Sequence, residues 1–216
     1  MSQAQYIAIE GVIGAGKTSL ARVLAERLNA SLLLEEIEEN PFLPLFYEDP
    51  SRYAFQNQVF FLLSRFRQQE ELIQADLFRS TVVSDYLFAK DAIFAHLTLN
   101  DAEIALYDRL AGLLAPRVVR PDLVIYLQNN TDRLMQHIRL RGLAYERSIS
   151  QDYVQKLNEA YNHFFFHYTE APLLVVNASQ IDFVKRETDL DDLIRAIQTP
   201  LTGTRYYHPV SPADKT

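Results

Sequence analysis

The segment from Gly11 to Thr18 constrains the fold of this chain more than any other. It reads Gly-Val-Ile-Gly-Ala-Gly-Lys-Thr and fits the phosphate-loop pattern, in which a second glycine is followed directly by lysine and threonine. A β-branched apolar run, 6–10, precedes the motif, and a segment with apolar side chains at helical spacing, 18–28, follows it. Strand, loop and helix in this order are the context in which such a loop binds phosphate. A glycine-rich turn that matches the whole pattern by chance is the weaker explanation.

The residue types in this loop indicate that the ligand is a nucleoside triphosphate with magnesium. Glycines let backbone N–H groups turn towards phosphate oxygens, and Lys17 supplies a positive charge to the terminal phosphates. Thr18 offers a hydroxyl to the magnesium ion, and we expect Asp85 or Glu35 to reach that ion through water. The predicted nucleotide-binding residues are Gly11, Gly14, Ala15, Gly16, Lys17, Thr18 and Ser19.

Strands and helices alternate along the rest of the chain, which predicts an α/β fold with a mostly parallel sheet covered by helices on both faces. Ligands bind at the carboxyl ends of the strands in such folds. The predicted strands are 6–10, 30–34, 81–84, 123–127 and 172–176, and the predicted helices are 18–28, 50–75, one that follows Asp101, 131–141, 151–168 and 189–197. Residues 1–200 are expected to form one domain, and the turn-rich segment 201–216 to form a tail that is an arm or a poorly ordered end.

Charge and composition exclude several classes of protein. The 28 acidic residues outnumber the 21 basic ones, and a net charge of -7 disfavours a protein that covers a nucleic-acid polymer. The absence of cysteine excludes disulfides, thiolate zinc sites and a cysteine nucleophile. No run of about 18 apolar residues is present to cross a membrane. We therefore expect a soluble, cytoplasmic protein.

Among phosphate-loop proteins, the size and motifs favour a small-molecule kinase. A GTP-binding switch reads guanine with Asn-Lys-x-Asp, and the segment 129–132, Asn-Asn-Thr-Asp, lacks the lysine. A remodelling ATPase usually has a larger body and an apolar strand that ends in paired acids. The segment 82–85, Val-Val-Ser-Asp, matches this pattern only in part. A kinase needs an acid near the acceptor hydroxyl and basic side chains over the phosphates. Glu35 and Asp85 follow predicted strands, and Arg139 and Arg141 end a helix before a glycine.

Longer stretches of the sequence resemble the deoxynucleoside kinase family, especially its bacterial deoxyadenosine and deoxyguanosine kinases. The resemblance rests on IAIEGVIGAGKTSL, EEIEENPFLPLFYEDPSRYAFQNQVFFLLSRFRQ, VVSDYLFAKDAIFA, PDLVIYL and RLRGLAYE. It implies the phosphate-loop kinase fold and a homodimer. It also implies transfer of phosphate from ATP, with magnesium, to the 5′-hydroxyl of a deoxynucleoside in nucleotide salvage.

The resemblance also assigns roles to individual residues. Glu35 resembles the catalytic carboxylate of the family, and Asp85 and Arg141 resemble other parts of its catalytic machinery. Gln58 and Asp91 resemble the pair that reads the edge of the base. Arg65 resembles the family arginine that follows that glutamine along the chain. Tyr47 and Glu146 resemble the groups that hold the sugar 3′-hydroxyl. The aromatic residues Phe55 and Phe88 are suggested to lie near the base or in the core.

Two departures from the family pattern keep a second hypothesis open. Asp85 is followed by Tyr86 and not by the arginine that helps to position the catalytic carboxylate in many members. In the lid, His137 and Leu143 stand where the family has arginines, and only Arg141 is kept. A non-catalytic nucleotide-binding or assembly protein that retains the kinase fold is therefore the alternative, although intact Lys17, Thr18 and Glu35 argue against it.

The chemistry of the base-reading pair predicts the substrate. An amide such as that of Gln58 offers a donor and an acceptor, whereas an ionised carboxylate such as that of Asp91 only accepts. Adenine and cytosine present an amino donor beside a ring-nitrogen acceptor, and thymine does not. We expect deoxyadenosine to be the best substrate, deoxyguanosine or deoxycytidine to follow, and thymidine to be the poorest.

Overall fold

Six parallel strands form a single sheet in a computed structural model that describes residues 6–74, 81–179, 181, 183 and 186–207. Strand order across the sheet is β2-β3-β1-β4-β5-β6, and every neighbouring pair is parallel. The strands are β1 (Tyr6–Gly11), β2 (Ser31–Leu33), β3 (Val82–Ser84), β4 (Leu123–Gln128), β5 (Leu173–Asn177) and β6 (Thr204–Tyr207).

Eight α-helices accompany the strands in the described part of the chain. They are α1 (Lys17–Leu28), α2 (Leu43–Glu48), α3 (Pro50–Gln74), α4 (Asp91–Thr98), α5 (Asp101–Leu114), α6 (Thr131–Arg141), α7 (Gln151–Phe166) and α8 (Glu187–Gln198). All six residues of β1 are buried, as are the first five of β4, so the central strands are covered on both faces. The predicted α/β fold with a central parallel sheet is therefore confirmed.

The topology brings the chemistry to one edge of the sheet. β1 lies between β3 and β4, so the chain departs to opposite sides around it, which makes the end of β1 a topological switch point. The phosphate loop follows β1, Glu35 follows β2 after one intervening residue, and Asp85 follows β3 directly. Because all the strands are parallel, these three segments meet at the same carboxyl edge.

A second apolar cluster forms away from the sheet and fixes the helices that close the site. It joins Leu43 and Phe46 of α2, Leu62 of α3, Ala95 of α4 and Tyr107 of α5. Each of these side chains is less than a tenth exposed. The cluster holds α2 and α3 together beside the carboxyl edge of the sheet.

Short elements and helix caps differ from the sequence prediction. Helices α2 and α4 have six and eight residues, which is too short for their periodicity to stand out. The helix predicted to follow Asp101 begins at Asp101 itself, and its cap is Asn100, whose side chain accepts hydrogen bonds from the N–H groups of Ala102 and Glu103. The Glu103 carboxylate returns a hydrogen bond to the Asn100 N–H, so the pair forms a capping box.

The segment beyond Pro200 was expected to be an arm or a poorly ordered end, and this is wrong for 204–207. These residues form β6, which pairs with β5 in parallel from Leu173 opposite Thr204 to Val176 opposite Tyr207. Threonine and tyrosine favour strands, which explains the pairing at the sheet edge. Residues 208–216 lie outside the described part of the chain, and the division of the chain at residue 200 stays a prediction. No helix of the described ranges is both long and apolar enough to span a bilayer.

Candidate active site

A cleft of about 1420 Å³ opens at the carboxyl edge of the sheet. Its wall is made by the phosphate loop, the segment after β2, the helices α2, α3 and α6, and the segments after α6 and β5. Pockets for one small ligand are usually about 300–1,000 Å³. The cleft therefore has room for two ligands of nucleoside size side by side.

The phosphate loop has the backbone geometry of an anion cradle. Gly14 and Gly16 have φ angles of 84° and 93°, a region that side chains with a Cβ avoid. At Gly11 a Cβ would lie 2.8 Å from the Leu127 carbonyl oxygen, so this position also requires glycine. Lys17 crosses the loop, and its Nζ donates to the carbonyl oxygens of Gly11 at 2.7 Å and Val12 at 3.3 Å. Burial lowers the pKa of Lys17, and nearby acids, Glu10 foremost, oppose that shift.

Asp85 connects the phosphate loop to the segment that follows β2. Its Oδ2 accepts a hydrogen bond from the Thr18 hydroxyl at 2.5 Å, and its Oδ1 accepts one from the Glu35 backbone N–H at 2.8 Å. A hydroxyl and a carboxylate are oxygen ligands of the kind that Mg²⁺ prefers, directly or through water. The structure therefore brings Thr18 and Asp85 together with Glu35 adjacent, and the magnesium site itself stays a prediction.

Two buried cations hold the Glu35 carboxylate. Arg65 Nε donates to Glu35 Oε1 at 2.7 Å and its Nη2 forms an ion pair with the same oxygen, while Lys90 Nζ donates to Oε2 at 3.0 Å. The side chain of Glu35 is 9% exposed. Burial alone raises the pKa of Glu35, but the charges of Arg65 and Lys90 outweigh it and lower the pKa to about 2. Glu35 is therefore ionised at neutral pH.

Asp91 lies at the other end of the same buried cluster. Its Oδ1 pairs with Arg65 Nη1, and its Oδ2 accepts a hydrogen bond from the Tyr107 hydroxyl at 3.0 Å. Gln58 Nε2 donates to the Asp91 backbone carbonyl at 3.4 Å. Burial raises the pKa of Asp91, and the Arg65 charge and the Tyr107 hydrogen bond oppose that shift. The structure thus brings together Gln58, Arg65 and Asp91, and of these Gln58 and Arg65 line the cleft.

The predicted lid arginine, Arg141, ends α6, and the predicted sugar-binding residue Glu146 lies in the segment that follows it. Arg141 Nε donates to Glu146 Oε2 at 3.0 Å, and its Nη2 pairs with Oε1. Burial raises the pKa of Glu146, and the Arg141 charge opposes that shift. Tyr47 of α2 stacks on Tyr145 with ring centroids 6.1 Å apart, so Tyr47 and Glu146 face the same part of the cleft.

His137 and Leu143, which stand where the family has arginines in the lid, both have defined positions in the structure. His137 Nδ1 donates to the Gly14 carbonyl oxygen at 2.8 Å and so connects α6 to the phosphate loop. Leu143 lines the cleft. Arg139 is exposed and, unlike Arg141, does not line the cleft; residues two apart on a helix do not face the same side.

Several residues of the site, among them Lys90, Tyr107 and Glu10, were not predicted from the sequence. Lys90 and Tyr107 complete the charge cluster, but nothing in their local sequence sets them apart from core and surface residues. Glu10 is fully buried and accepts hydrogen bonds from the N–H groups of Gly11 and Leu87; an acid inside the apolar run of β1 was the available signal. Phe55 lines a separate surface groove, Phe88 packs in the second apolar cluster, and the phenylalanines of the cleft wall include Phe46, Phe61 and Phe94.

Comparison with known proteins places these features in a family. The family model described as deoxynucleoside kinase matches residues 7–202. The deoxyguanosine kinase of Bacillus subtilis is 33% identical over 196 residues, which cover 88% of this chain and 95% of that protein. The deoxyadenosine kinase of Dictyostelium discoideum is also 33% identical, over 96% of this chain and 83% of that protein. Among solved structures, the deoxyadenosine kinase of M. mycoides with dCMP and dCDP bound superposes with a TM-score of 0.79 at 25% identity and covers 90% of this chain and 100% of that one.

Proposed function

Because this chain belongs to the deoxynucleoside kinase family, whose members are phosphotransferases, we propose that it transfers the terminal phosphoryl group of ATP, with magnesium, to the 5′-hydroxyl of a purine deoxynucleoside. One observation carries this proposal. Asp85 binds Thr18 of the phosphate loop with one oxygen and the Glu35 N–H with the other, which sets a carboxylate beside the loop. A kinase needs this arrangement to bring an acceptor hydroxyl in line with a phosphoryl group.

The residues of the phosphate loop fit a triphosphate and a magnesium ion. The left-handed glycines turn the backbone around an anion, and the half-buried Lys17 is the cation at the centre of the loop. Thr18 and Asp85 would hold the magnesium ion, directly or through water. That ion, when bound, neutralises charge on the phosphate oxygens.

Glu35 is the residue that we assign to the acceptor hydroxyl. Its carboxylate is ionised, lines the cleft and is held on both oxygens. A low pKa makes it a weak base, but a loose phosphoryl transfer demands little proton abstraction before the transition state. Glu35 would therefore orient the hydroxyl and receive its proton as the bond to phosphorus forms.

Residues around the cleft then divide the nucleoside between them. Tyr47 and Glu146 would hold the sugar 3′-hydroxyl, because they face the cleft together near the lid. Arg141 lies beside Glu146, where its charge would stabilise the transferred phosphoryl group. Gln58 and Asp91, which are hydrogen-bonded to each other, would read the base edge. Arg65 pairs with both Asp91 and Glu35 and so connects the base-reading residues to the acceptor carboxylate.

Deoxyadenosine is the preferred substrate in this proposal, followed by deoxyguanosine or deoxycytidine. The Gln58 amide, in the cleft wall, presents a donor and an acceptor, and the lone pairs of Asp91 that Arg65 and Tyr107 leave open would accept from an amino group that reaches past that wall. Thymine would place a carbonyl against that carboxylate, and polar mismatches in buried sites discriminate by several orders of magnitude. Relatives named for deoxyguanosine, deoxyadenosine and deoxycytidine all occur, so the ranking is a property to be measured.

We also propose that the chain acts as a homodimer in the cytoplasm. Leu63 of α3 and Leu106 and Leu113 of α5 are 51%, 48% and 74% exposed, which is unusual for large apolar side chains of a lone subunit. A surface groove of about 310 Å³ has Leu63 in its wall together with Phe55 and Phe60. Light scattering of the parent and of Leu113→Glu tests the dimer: a dimeric parent and a monomeric variant are expected, and a monomeric parent would refute it.

Incubation with labelled ATP, magnesium and each of the four deoxynucleosides tests the function. We expect a labelled 5′-monophosphate with at least one purine deoxynucleoside, and no product when magnesium is chelated. Omission of the nucleoside is the matched control for ATP hydrolysis. Product with none of the four would contradict the proposal and favour a non-catalytic nucleotide-binding protein.

A further inference from the structure

Lys90 is a buried lysine that none of the roles assigned above uses. It ends the short 3₁₀ turn Phe88–Lys90 directly before α4, and its side chain is 3% exposed. Lysine is almost never fully buried unless its charge is paired, so its partners indicate what holds it there. It also lines the cleft.

The hydrogen bond of Lys90 goes to Glu35 and not to the other acid nearby. Nζ lies 3.0 Å from Glu35 Oε2 but 3.9 Å from Glu10 Oε2, which is too far for a hydrogen bond. Glu10 has donors of its own in the N–H groups of Gly11 and Leu87 and the hydroxyl of Tyr161. Glu10 instead fixes the backbone at Leu87, from which the turn that carries Lys90 begins.

Glu35 needs a second cation because its first one is shared. Arg65 binds only Oε1 of Glu35, and its Nη1 forms an ion pair with Asp91. With Arg65 alone, the carboxylate plane would be free to turn about Oε1, and Oε2 would have no donor among the described residues. Position 86, where an arginine was expected to serve the carboxylate, holds a tyrosine that is fully buried.

We propose that Lys90 is a positioning residue for catalysis: it fixes the second oxygen of Glu35, so that the carboxylate faces the acceptor hydroxyl in one orientation. Lys90 thus supplies the charge that the missing arginine would have brought. The inference rests on the proposed function, because it requires Glu35 to act on the acceptor.

A double-mutant cycle between Lys90 and Glu35 tests this role. Methionine replaces the lysine stem at similar length without the charge, so Lys90→Met is the main variant, and Lys90→Arg keeps the charge. Since a misplaced group costs about 10²-fold in rate, we expect Lys90→Met to lower kcat by about 10²-fold with KM for the nucleoside changed by less than about threefold. Lys90→Arg should restore about tenfold of that loss, a prediction that rests on the same positioning argument.

The decisive arm is the same substitution in the Glu35→Gln background. If Lys90 acts through Glu35, Lys90→Met should change the residual kcat of that variant by less than about threefold, because coupled residues are not additive. A lysine that only stabilises the fold would give the full loss in both backgrounds. Lys156→Met, at an exposed position on α7, is the matched control and should keep parental kcat.

The outcomes distinguish a failure of the positioning role of Lys90 from a failure of the proposed kinase function. Equal losses of kcat in both backgrounds, or parental kcat in Lys90→Met, would overturn the positioning role while leaving the kinase assignment intact. A parent that phosphorylates none of the four deoxynucleosides would overturn the proposed function and this inference with it. If Lys90→Met does not fold, as judged by circular dichroism, the cycle is run with Lys90→Arg, and additive losses there overturn the role in the same way.

Discussion

Replacement of Glu35 by glutamine tests both the proposed catalytic role of this residue and its contribution to stability. The amide keeps the size of the side chain but removes the charge that two buried cations share. It also turns one oxygen into an NH₂ group, which would face either Lys90 Nζ or the Arg65 guanidinium, a donor against a donor. The perturbation therefore acts on turnover and on stability at once, and both have to be measured.

The expected magnitudes follow from these contacts. A positioned carboxylate that takes up a proton contributes about 10²–10⁴-fold to rate, so kcat of Glu35→Gln should fall by that factor while nucleoside binding weakens much less. Loss of one partner of a buried pair costs about 3–5 kcal/mol. The lower end applies here because Arg65 keeps Asp91 as a partner. A domain with about 5–15 kcal/mol of stability still folds after such a loss.

Steady-state rates with saturating ATP and urea unfolding of the same preparations measure the two effects. Glu36→Gln is the matched control, since Glu36 is the next acid along the chain and binds Ser64 and Arg67 on the partly exposed side of the segment. It should keep parental turnover and lose less than about 1 kcal/mol. Near-parental kcat in Glu35→Gln, or a large loss of kcat in Glu36→Gln, would show that the assignment of the acceptor carboxylate is wrong.

Three further predictions follow from the same site. Lys17→Ala should remove most activity and weaken ATP binding, because the developing phosphoryl charge loses a cation worth several kcal/mol; parental rates in a coupled ATP assay would contradict the phosphate-loop assignment. Asp91→Asn should lower the rate with deoxyadenosine by at least about tenfold relative to thymidine, because one of the oxygens that would accept from an amino group becomes an NH₂ donor, which suits a carbonyl. Initial rates with all four deoxynucleosides check this, and an unchanged ranking would show that Asp91 does not read the base. The pKa of Glu35 in the folded chain, about 2, lies below its ordinary value of 4.5, so its contribution to stability is complete above pH 4.5 and is lost as the pH falls towards 2. Urea unfolding between pH 5 and 2.5 should show a steeper loss for the parent than for Glu35→Gln, and equal slopes would contradict the pKa.

Much of the fold was predictable because it is encoded locally. The phosphate loop depends on glycines at fixed positions, and the continuous apolar runs of β1 and β4 are typical of strands buried on both faces. By contrast, β6 has only four residues, of which two are exposed, and its pairing with β5 depends on the path of α8. Short elements of this kind become visible only once their neighbours are in place.

Many residues of the candidate site could be named from the sequence, but the hydrogen bonds and ion pairs between them could not. Glu35 and Asp85 could be placed at one edge because parallel strands end together. The hydrogen bonds that join Glu35, Arg65 and Asp91 form where the segment after β2 meets α3 and α4, and no sequence period records that packing. Lys90 shows the limit most clearly, since only the structure reveals that its charge is buried against Glu35.

The ion pair between Arg141 and Glu146 has a consequence for the economy of ATP in the cell. A phosphotransferase wastes its donor when water occupies the place of the acceptor. While Arg141 is bound to Glu146, that carboxylate offsets part of the Arg141 charge. A sugar hydroxyl that takes up Glu146 would release the arginine at the moment when an acceptor is present. In the proposed function, the carboxylate that holds the nucleoside would thereby also restrain hydrolysis of ATP when no nucleoside is bound.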